Sequence, residues 1–165
     1  MRGSHSLHII PESIRSLRLI SPLFKLEASM MTHLPKEWRF LPDAWSYAVI
    51  LTGSAQAATD LVTNTLNGVA TRHDILGNKH RRRVFFATLF REANKAPRVE
   101  LPGSNLSDDI LELHRLSEPG RSALTLFHLC LFPIDQIADI VGKNEKQLPE
   151  LLVATRGALT SAPRL

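Results

Sequence analysis

The sequence predicts an all-α protein made of two small helical domains joined by a linker, the second of which is a helix-turn-helix. Apolar residues recur at i, i+3, i+4 and i+7 in most segments, whereas no segment alternates apolar and polar residues as a half-buried strand does. Hydrophobic residues make up 44% of the 165 residues, which supports packed cores and argues against a disordered chain. The last third of the chain has the order short helix, glycine turn, longer helix, which is typical of a helix-turn-helix.

Residues 1–40 are predicted to form an N-terminal arm. The first six residues, MRGSHS, resemble an expression-vector leader, so it stays open whether residues 1–30 are native. The stretch from Ile9 to Leu26 is basic and amphipathic until Pro22 interrupts it, which would suit a membrane surface or a groove on a partner. An arm folded onto the domain, or a loosely held tail, is the alternative.

Residues 41–95 are predicted to form a three-helix domain. The first helix runs from Pro42 to Leu51 and ends at Gly53. The second extends from a cap at Ser54 to about residue 70, and the third covers Lys79 to Asn94. Three such helices can pack as a small bundle, in which the expected buried residues are Trp45, Leu61, Phe85 and Leu89.

A linker at residues 96–106 separates this domain from a second one at residues 107–165. Prolines, a glycine and polar residues predict the linker. Ser107 is expected to cap the helix that follows, because Asp108 and Asp109 occupy its first turn. The next helix is expected to open at Glu118 and Pro119 with Ser117 as its cap.

The predicted helix-turn-helix begins at Pro133. Its first helix ends at Gly142, a residue suited to a left-handed conformation, and Asn144 with Gln147 can cap the second helix. Pro149 removes an amide donor, so the second helix should start late or bend. The expected buried residues of this domain are Leu124, Ile137, Val141 and Leu152.

The final helix divides into two faces at 100° per residue. The predicted core face contains Leu148, Leu151, Leu152, Thr155 and Leu159. The predicted outer face contains Pro149, Glu150, Val153, Ala154 and Gly157, with Arg156 at its margin. An outer face with one carboxylate and few hydrogen-bond donors is poorly suited to phosphates and base edges.

Three motifs resemble a known family. The segments SEPGRSAL…IDQIADIVGKNEKQL, LTGSAQAATDLVTNTL and RRVFFATLFREAN are similar to regions four and two of extracytoplasmic-function sigma factors, the small bacterial transcription initiation factors. The resemblance covers roughly Leu41 to Leu159 and extends to the sigma-like domain of PhyR-type general stress regulators, which binds an anti-sigma factor in place of the sigma factor. No receiver domain, which PhyR-type proteins carry, follows the sigma-like part in this sequence.

The resemblance implies binding residues in the second helix and partners for them. The partner would be an anti-sigma factor or the RNA polymerase core, with promoter DNA as a possible addition. The residues that the resemblance assigns to polymerase or anti-sigma binding are Asp60, Leu61, Thr63, Asn64 and Leu66.

A basic run, KHRRR at Lys79 to Arg83, is the main evidence for an anionic partner. Cations at a helix N-terminus oppose the helix dipole, which hints at DNA or an acidic protein, whereas the alternative is a solvated face. The candidate contacts with nucleic acid or an acidic partner are Lys79, Arg81, Arg82, Arg83, Arg91, Lys143, Lys146 and Arg156.

Enzyme motifs do not stand out in the sequence. Its seven histidines lack metal-ligand spacing, and its glycines form no phosphate-binding loop. His114 and His128 are interpreted as core or boundary residues, and Cys130 as a buried thiol in a reducing compartment. No cofactor, no catalytic residue and no membrane span of about twenty residues is predicted, and a cytoplasmic location is expected.

The sequence thus predicts a sigma-factor-like regulator of transcription initiation. It would act mainly through protein partners, with weakened promoter recognition. The alternative is an active, divergent sigma factor that binds promoter DNA and the polymerase core. A structural adaptor unrelated to transcription is the third possibility.

Overall fold

The computed structural model describes residues 34–70, 78–95 and 106–160. The regular secondary structure of these residues consists of helices, with no strands among them. A single 3₁₀ turn, Lys36–Trp38, precedes the first α-helix. In chain order the α-helices are α1 (Leu41–Thr52), α2 (Ala55–Ala70), α3 (Asn78–Ala93), α4 (Asp108–Arg115), α5 (Gly120–His128), α6 (Ile134–Val141) and α7 (Leu148–Thr160). The all-α prediction is confirmed, whereas the predictions for residues 1–33 and 96–105 lie outside the described residues.

The predicted end of α1 at Gly53 and the predicted start of α2 at Ser54 are both confirmed by capping hydrogen bonds. Gly53 follows α1 with φ 69°, and its amide donates to the Val49 carbonyl at 2.8 Å. Ser54 then opens α2, since its Oγ accepts a hydrogen bond from the Ala57 amide at 3.3 Å. A left-handed glycine followed at once by a capping serine lets the chain reverse between two helices without losing backbone hydrogen bonds.

Aromatic rings fill the core of the first three helices. Phe85, Phe86 and Leu89 are fully buried on α3, and the Tyr47 ring stacks on Phe86 with 5.5 Å between centroids. Trp45, which is predicted to be buried, is only half-buried, and its indole nitrogen donates to the Thr59 hydroxyl at 3.1 Å near the surface.

Leu61 is likewise predicted to be buried and is only half-buried, packed against the core clusters. In the second half, Leu124, Ile137 and Val141 are buried as predicted. Leu152 is half-buried instead, at the edge of the core.

Ser107 is the N-cap residue of α4 as predicted, but its side chain makes no capping hydrogen bond, and its hydroxyl is buried without a hydrogen-bond partner. The cap predicted at Ser117 is wrong. Helix α5 begins at Gly120, and Ser117 does not cap it with its side chain. The Glu118 carboxylate takes that role, accepting from the Ser122 amide at 3.2 Å, because a glutamate in the preceding turn reaches the same free amides.

The C-terminal helix pair, α6 and α7, follows the predicted order of elements. Pro133 caps α6, and Gly142 ends it with φ 65°. The Asn144 side chain accepts from the Lys146 amide at 3.0 Å, and a 3₁₀ turn, Glu145–Gln147, leads into α7. The late start that Pro149 predicted is confirmed, since the proline lies in the first turn, where no amide donor is needed.

The core continues across the two halves of the chain. The Phe86 ring meets the Phe132 ring edge-on at 4.9 Å, and α3 packs against α6 while α1 packs against α4 and α5. One cluster of buried residues contains Tyr47 and Leu89 from the first half together with Leu126 and Ile137 from the second. The sequence did not predict this interface.

Candidate functional site

The outer face of α7 is the face that a recognition helix would turn to DNA. Its exposed residues are Pro149, Glu150, Val153, Ala154 and Gly157, as predicted, and Val153 is 73% exposed. Leu148 and Thr155 are buried on the opposite side. The face that points outward therefore presents methyl groups, a proline ring and one carboxylate, none of which attracts phosphate.

Arg156, predicted at the margin of this face, lies half-buried beside His128. One guanidinium nitrogen, Nη2, is 3.2 Å from the imidazole Nε2 of His128. Two effects lower the pKa of His128: partial burial, which is the larger, and the positive charge of Arg156. The neutral ring that results can accept a hydrogen bond from the guanidinium, so Arg156 is held back toward α5.

Lys143 and Lys146 are exposed in the turn before α7. Glu145 lies between them and is exposed as well, and Glu150 follows one turn later. Because carboxylates alternate with the ammonium groups, this turn presents a mixed charge and forms no continuous cationic surface for a phosphate backbone.

Arg81, in the centre of the basic run, is directed into the protein. Its side chain is 5% exposed, and its guanidinium carbon lies 5.0 Å from the centre of the Trp38 ring. Trp38 in turn contacts the Phe85 ring edge-on at 6.5 Å. The arginine therefore fastens the segment that precedes α1 onto α3 by a cation–π contact.

Arg82 joins α3 to the loop between α5 and α6. Its Nη2 donates to the Cys130 carbonyl, and its guanidinium carbon lies 4.0 Å from the centre of the Phe132 ring. The Asp43 carboxylate is 3.9 Å away. One side chain thus meets a backbone carbonyl, an aromatic ring and a carboxylate, and two of these belong to the other half of the chain.

Arg83 makes the third contact of the run, an ion pair with Asp139 of α6 at 2.7 Å. His80 is exposed, while the side chain of Lys79 lies outside the described residues. Arg91 is exposed at the far end of α3, beside Glu92. The three consecutive arginines therefore lie in contacts within the chain, and the predicted cations do not come together on one surface.

The sequence contains a signal for this arrangement. Arg81 and Arg82 precede the buried Phe85 and Phe86 by four residues, and residues four apart share a helix face. The basic run was interpreted by its charge, whereas the helical period already directed two of its members toward the core.

The predicted protein-binding residues on α2 separate into two groups. Asp60, Thr63 and Asn64 are exposed, whereas Leu61 and Leu66 pack against the core and stabilise the helix from within. Additional exposed residues on this helix, which the sequence interpretation missed, are Gln56, Thr59 and Asn67. We call Gln56, Thr59, Asp60, Thr63, Asn64 and Asn67 the polar strip of α2.

The polar strip is nearly uncharged and rich in hydrogen-bonding groups. Asp60 is its single ionisable residue, and its Oδ1 accepts from the Gln56 amide nitrogen at 3.1 Å. Amide and hydroxyl side chains both donate and accept, so the strip can match the polar groups of a protein surface without needing a counter-charge.

The structure also contains a buried polar cluster that the sequence interpretation did not predict. Arg121 is 2% exposed and pairs with Glu118 at 2.7 Å. It also donates to the His114 carbonyl at 2.7 Å, and the His114 ring lies 2.8 Å from the Ile50 carbonyl. The interpretation of His114 as a core histidine is confirmed, and the cluster ties α1, α4 and α5 together.

The described residues contain no group of three or more His, Cys, Asp or Glu that could hold a metal ion. Cys130 is buried as expected, and burial raises the pKa of its thiol far above the ordinary value. Among the described helices, none combines the length and apolarity that crossing a bilayer requires.

Comparisons of the chain with models of protein families, with curated proteins and with solved structures found no match.

Proposed function

We propose that this protein is a sigma-factor-like regulator of bacterial transcription initiation that acts through a protein partner. The partner is an anti-sigma factor or the RNA polymerase core, and promoter recognition is weak. The observation that carries the proposal is the outer face of α7, which exposes Pro149, Val153 and Ala154 where a DNA-reading helix needs cations and amides.

The arginines of α3 support the same conclusion. Phosphate contacts dominate the affinity of proteins for DNA, so each arginine used within the chain lowers what is left for DNA. Arg81, Arg82 and Arg83 contact Trp38, Phe132 and Asp139. The arginines that could compensate for the lack of cations on the outer face of α7 are thus already engaged in contacts within the chain.

The polar strip of α2 is the surface that we assign to the protein partner. It is exposed, it borders a well-packed core, and three of its members are residues that the resemblance to sigma factors singles out: Asp60, Thr63 and Asn64. A rigid helix that presents amides and hydroxyls loses little conformational entropy on binding.

A crossed pair of variants tests the two surfaces in the full chain. Asn64→Arg, on the polar strip, should weaken co-precipitation with RNA polymerase subunits or an anti-sigma factor from the source bacterium. Pro149→Lys with Ala154→Arg, on α7, should leave that association unchanged and increase the binding of a labelled DNA duplex. Two added phosphate contacts should steepen the slope of log K against log salt by about 1.8.

The unmodified chain is expected to bind duplex DNA only at the non-specific level, with Kd of about 1 μM or weaker at physiological salt. Tight, sequence-specific binding by the unmodified chain would contradict the proposal. Unchanged partner association in Asn64→Arg would remove the polar strip from the interface.

An active, divergent sigma factor is the second candidate. The observation that favours it is the exposure of Lys143 and Lys146 in the turn that leads into α7, together with the net charge of +4. Replacing both lysines by glutamine should abolish promoter binding if this candidate is correct. It should have no effect on the partner association of a chain that works through α2.

A further inference from the structure

Leu131 stands out among the described residues because its backbone is left-handed while its side chain is 64% exposed. Its φ is 55°. The other residues with positive φ in the described backbone are Gly53 and Gly142, which end α1 and α6. The chain thus uses glycine for this conformation at the ends of α1 and α6, whereas in the turn after α5 it uses a branched apolar side chain that disfavours it.

The turn is held rigidly from both sides. Cys130 and Phe132 are buried, and the Phe132 amide donates to the Leu126 carbonyl at 3.0 Å. Arg82 donates to the Cys130 carbonyl and covers the Phe132 ring. Because both neighbours of Leu131 are buried, the Cα–Cβ bond of the leucine is directed outward.

Nothing in this geometry favours leucine for the fold itself. Glycine would adopt the same φ without steric cost, and an exposed leucine buries little apolar area. A side chain that costs conformational energy and buries little apolar area suggests a use outside the chain.

We infer that Leu131 is an anchor that inserts into an apolar pocket on a protein partner. The inference deepens the proposed function and rests on it, since it names a contact with the partner proposed above. An apolar side chain on a backbone that is already fixed binds with a smaller entropy cost than one on a mobile loop. A few residues that are buried near the centre of an interface carry most of its binding energy.

The charges around the turn indicate the class of partner. Asp135 and Asp139 are exposed on α6, and Asp43 is partly exposed beside Arg82. Arg82 lies beside Asp43 and Arg83 pairs with Asp139, so Asp135 adds an unbalanced negative charge that disfavours phosphate-bearing nucleic acids and anionic membranes. A protein pocket with lysine or arginine at its rim would complement this surface.

The first test is the stability of three variants of the full chain. Leu131→Gly and Leu131→Asn remove the leucine and suit the left-handed backbone, whereas Leu131→Met keeps an apolar side chain there. Leu131→Gly should leave the midpoint of thermal unfolding unchanged or raise it by about 2 °C. A lower midpoint for Leu131→Gly would show that the leucine serves the fold and would overturn the inference.

The second test identifies the partner and measures its affinity. The photo-reactive residue p-benzoylphenylalanine at position 131 should cross-link one protein in the source bacterium, which is then purified. Its affinity should fall about tenfold or more for Leu131→Gly and Leu131→Asn, and stay within about threefold for Leu131→Met. Unchanged affinity in the first two variants, or cross-links only to lipid, nucleic acid or a second copy of this chain, would overturn the inference.

The same experiment separates this inference from the proposed function. If the cross-linked protein needs Leu131 but is neither an anti-sigma factor nor a polymerase subunit, the inference stands and the proposed function fails. If the chain binds an anti-sigma factor equally well with and without Leu131, the proposed function stands and the inference fails.

Discussion

Single residues in this protein are constrained chiefly by close approaches between helices. Gly120 begins α5 against α7, and a Cβ placed on it would lie 2.2 Å from the Thr155 hydroxyl oxygen. Gly157 lies in the middle of α7, and a Cβ placed there would meet nothing within 4 Å. The two glycines are thus present for different reasons, and they form a matched pair for mutagenesis.

We predict that Gly120→Ala lowers the free energy of unfolding by about 1–3 kcal/mol, the usual cost of overpacking a buried contact. Gly157→Ala should raise it by about 0.4–1 kcal/mol, because alanine restricts the unfolded chain and favours the helix. Urea unfolding measures both. Adding Thr155→Ala should recover much of the loss in Gly120→Ala, and a failure to do so would contradict the proposed clash.

His128 links stability to pH at the same scale. Burial and the Arg156 charge lower its pKa below the ordinary value of 6.5, so the unfolded chain binds a proton more readily than the folded one. This contribution to stability is complete above about pH 6.5 and is lost as the pH falls below it.

Urea midpoints at about pH 7.5 and pH 5.5 test this coupling. The wild-type chain should lose more stability between the two values than His128→Gln, in which the titrating group is gone. Equal losses in both proteins would show that His128 titrates alike in the folded and unfolded states.

Two arginines of α3 connect helices in this protein, and we expect their contacts to contribute unequally to stability. Arg82 meets the Cys130 carbonyl and the Phe132 ring at the junction of α3 with the α5–α6 loop, whereas Arg83 pairs with Asp139 on the surface. A cation that is packed on an aromatic ring and bonded to a carbonyl stabilises more than an exposed ion pair, which is worth about 0–1 kcal/mol.

We therefore predict that Arg82→Gln destabilises the chain by about 1–3 kcal/mol, since it leaves the Cys130 carbonyl with a poorer partner. Arg83→Gln should cost less than about 1 kcal/mol, and added salt should reduce that cost further. Chemical denaturation at low and high ionic strength compares the two. An equal effect of both changes would remove the distinction between the inner and the outer arginine.

At the scale of the whole molecule, the two halves of the sequence share apolar packing. Both tryptophans of the chain, Trp38 and Trp45, belong to the first half. Ile137 is fully buried in the second half, within the cluster that also contains Tyr47 and Leu89. If the shared core makes unfolding a single transition, a destabilising substitution at Ile137 should therefore shift the unfolding midpoint that tryptophan fluorescence reports.

We predict that Ile137→Ala lowers the unfolding free energy by about 2–5 kcal/mol. Tryptophan fluorescence and far-ultraviolet circular dichroism should report the same shifted midpoint. Val153→Ala, on the exposed face of α7, is the control and should shift it by less than about 0.5 kcal/mol. A fluorescence midpoint that ignores Ile137→Ala would show two independently folding halves.

The sequence by itself determined the helices and their faces. Gly53 and Gly142 end helices as predicted, and α7 exposes the predicted outer face from Pro149 to Gly157. These features follow from the helical period and from local capping, which act over a few residues and are therefore readable along the chain.

Only the tertiary structure decided what each face meets. The charge of the basic run predicts an exposed surface, yet Arg82 contacts Cys130 and Phe132, which lie about fifty residues away in the sequence. The sequence likewise predicts Leu131 on an apolar face with Leu124 and Phe127, whereas the fold exposes it. The physical reason is that periodicity specifies how a helix is rotated about its own axis, while the neighbour across the interface depends on contacts that are distant in the chain.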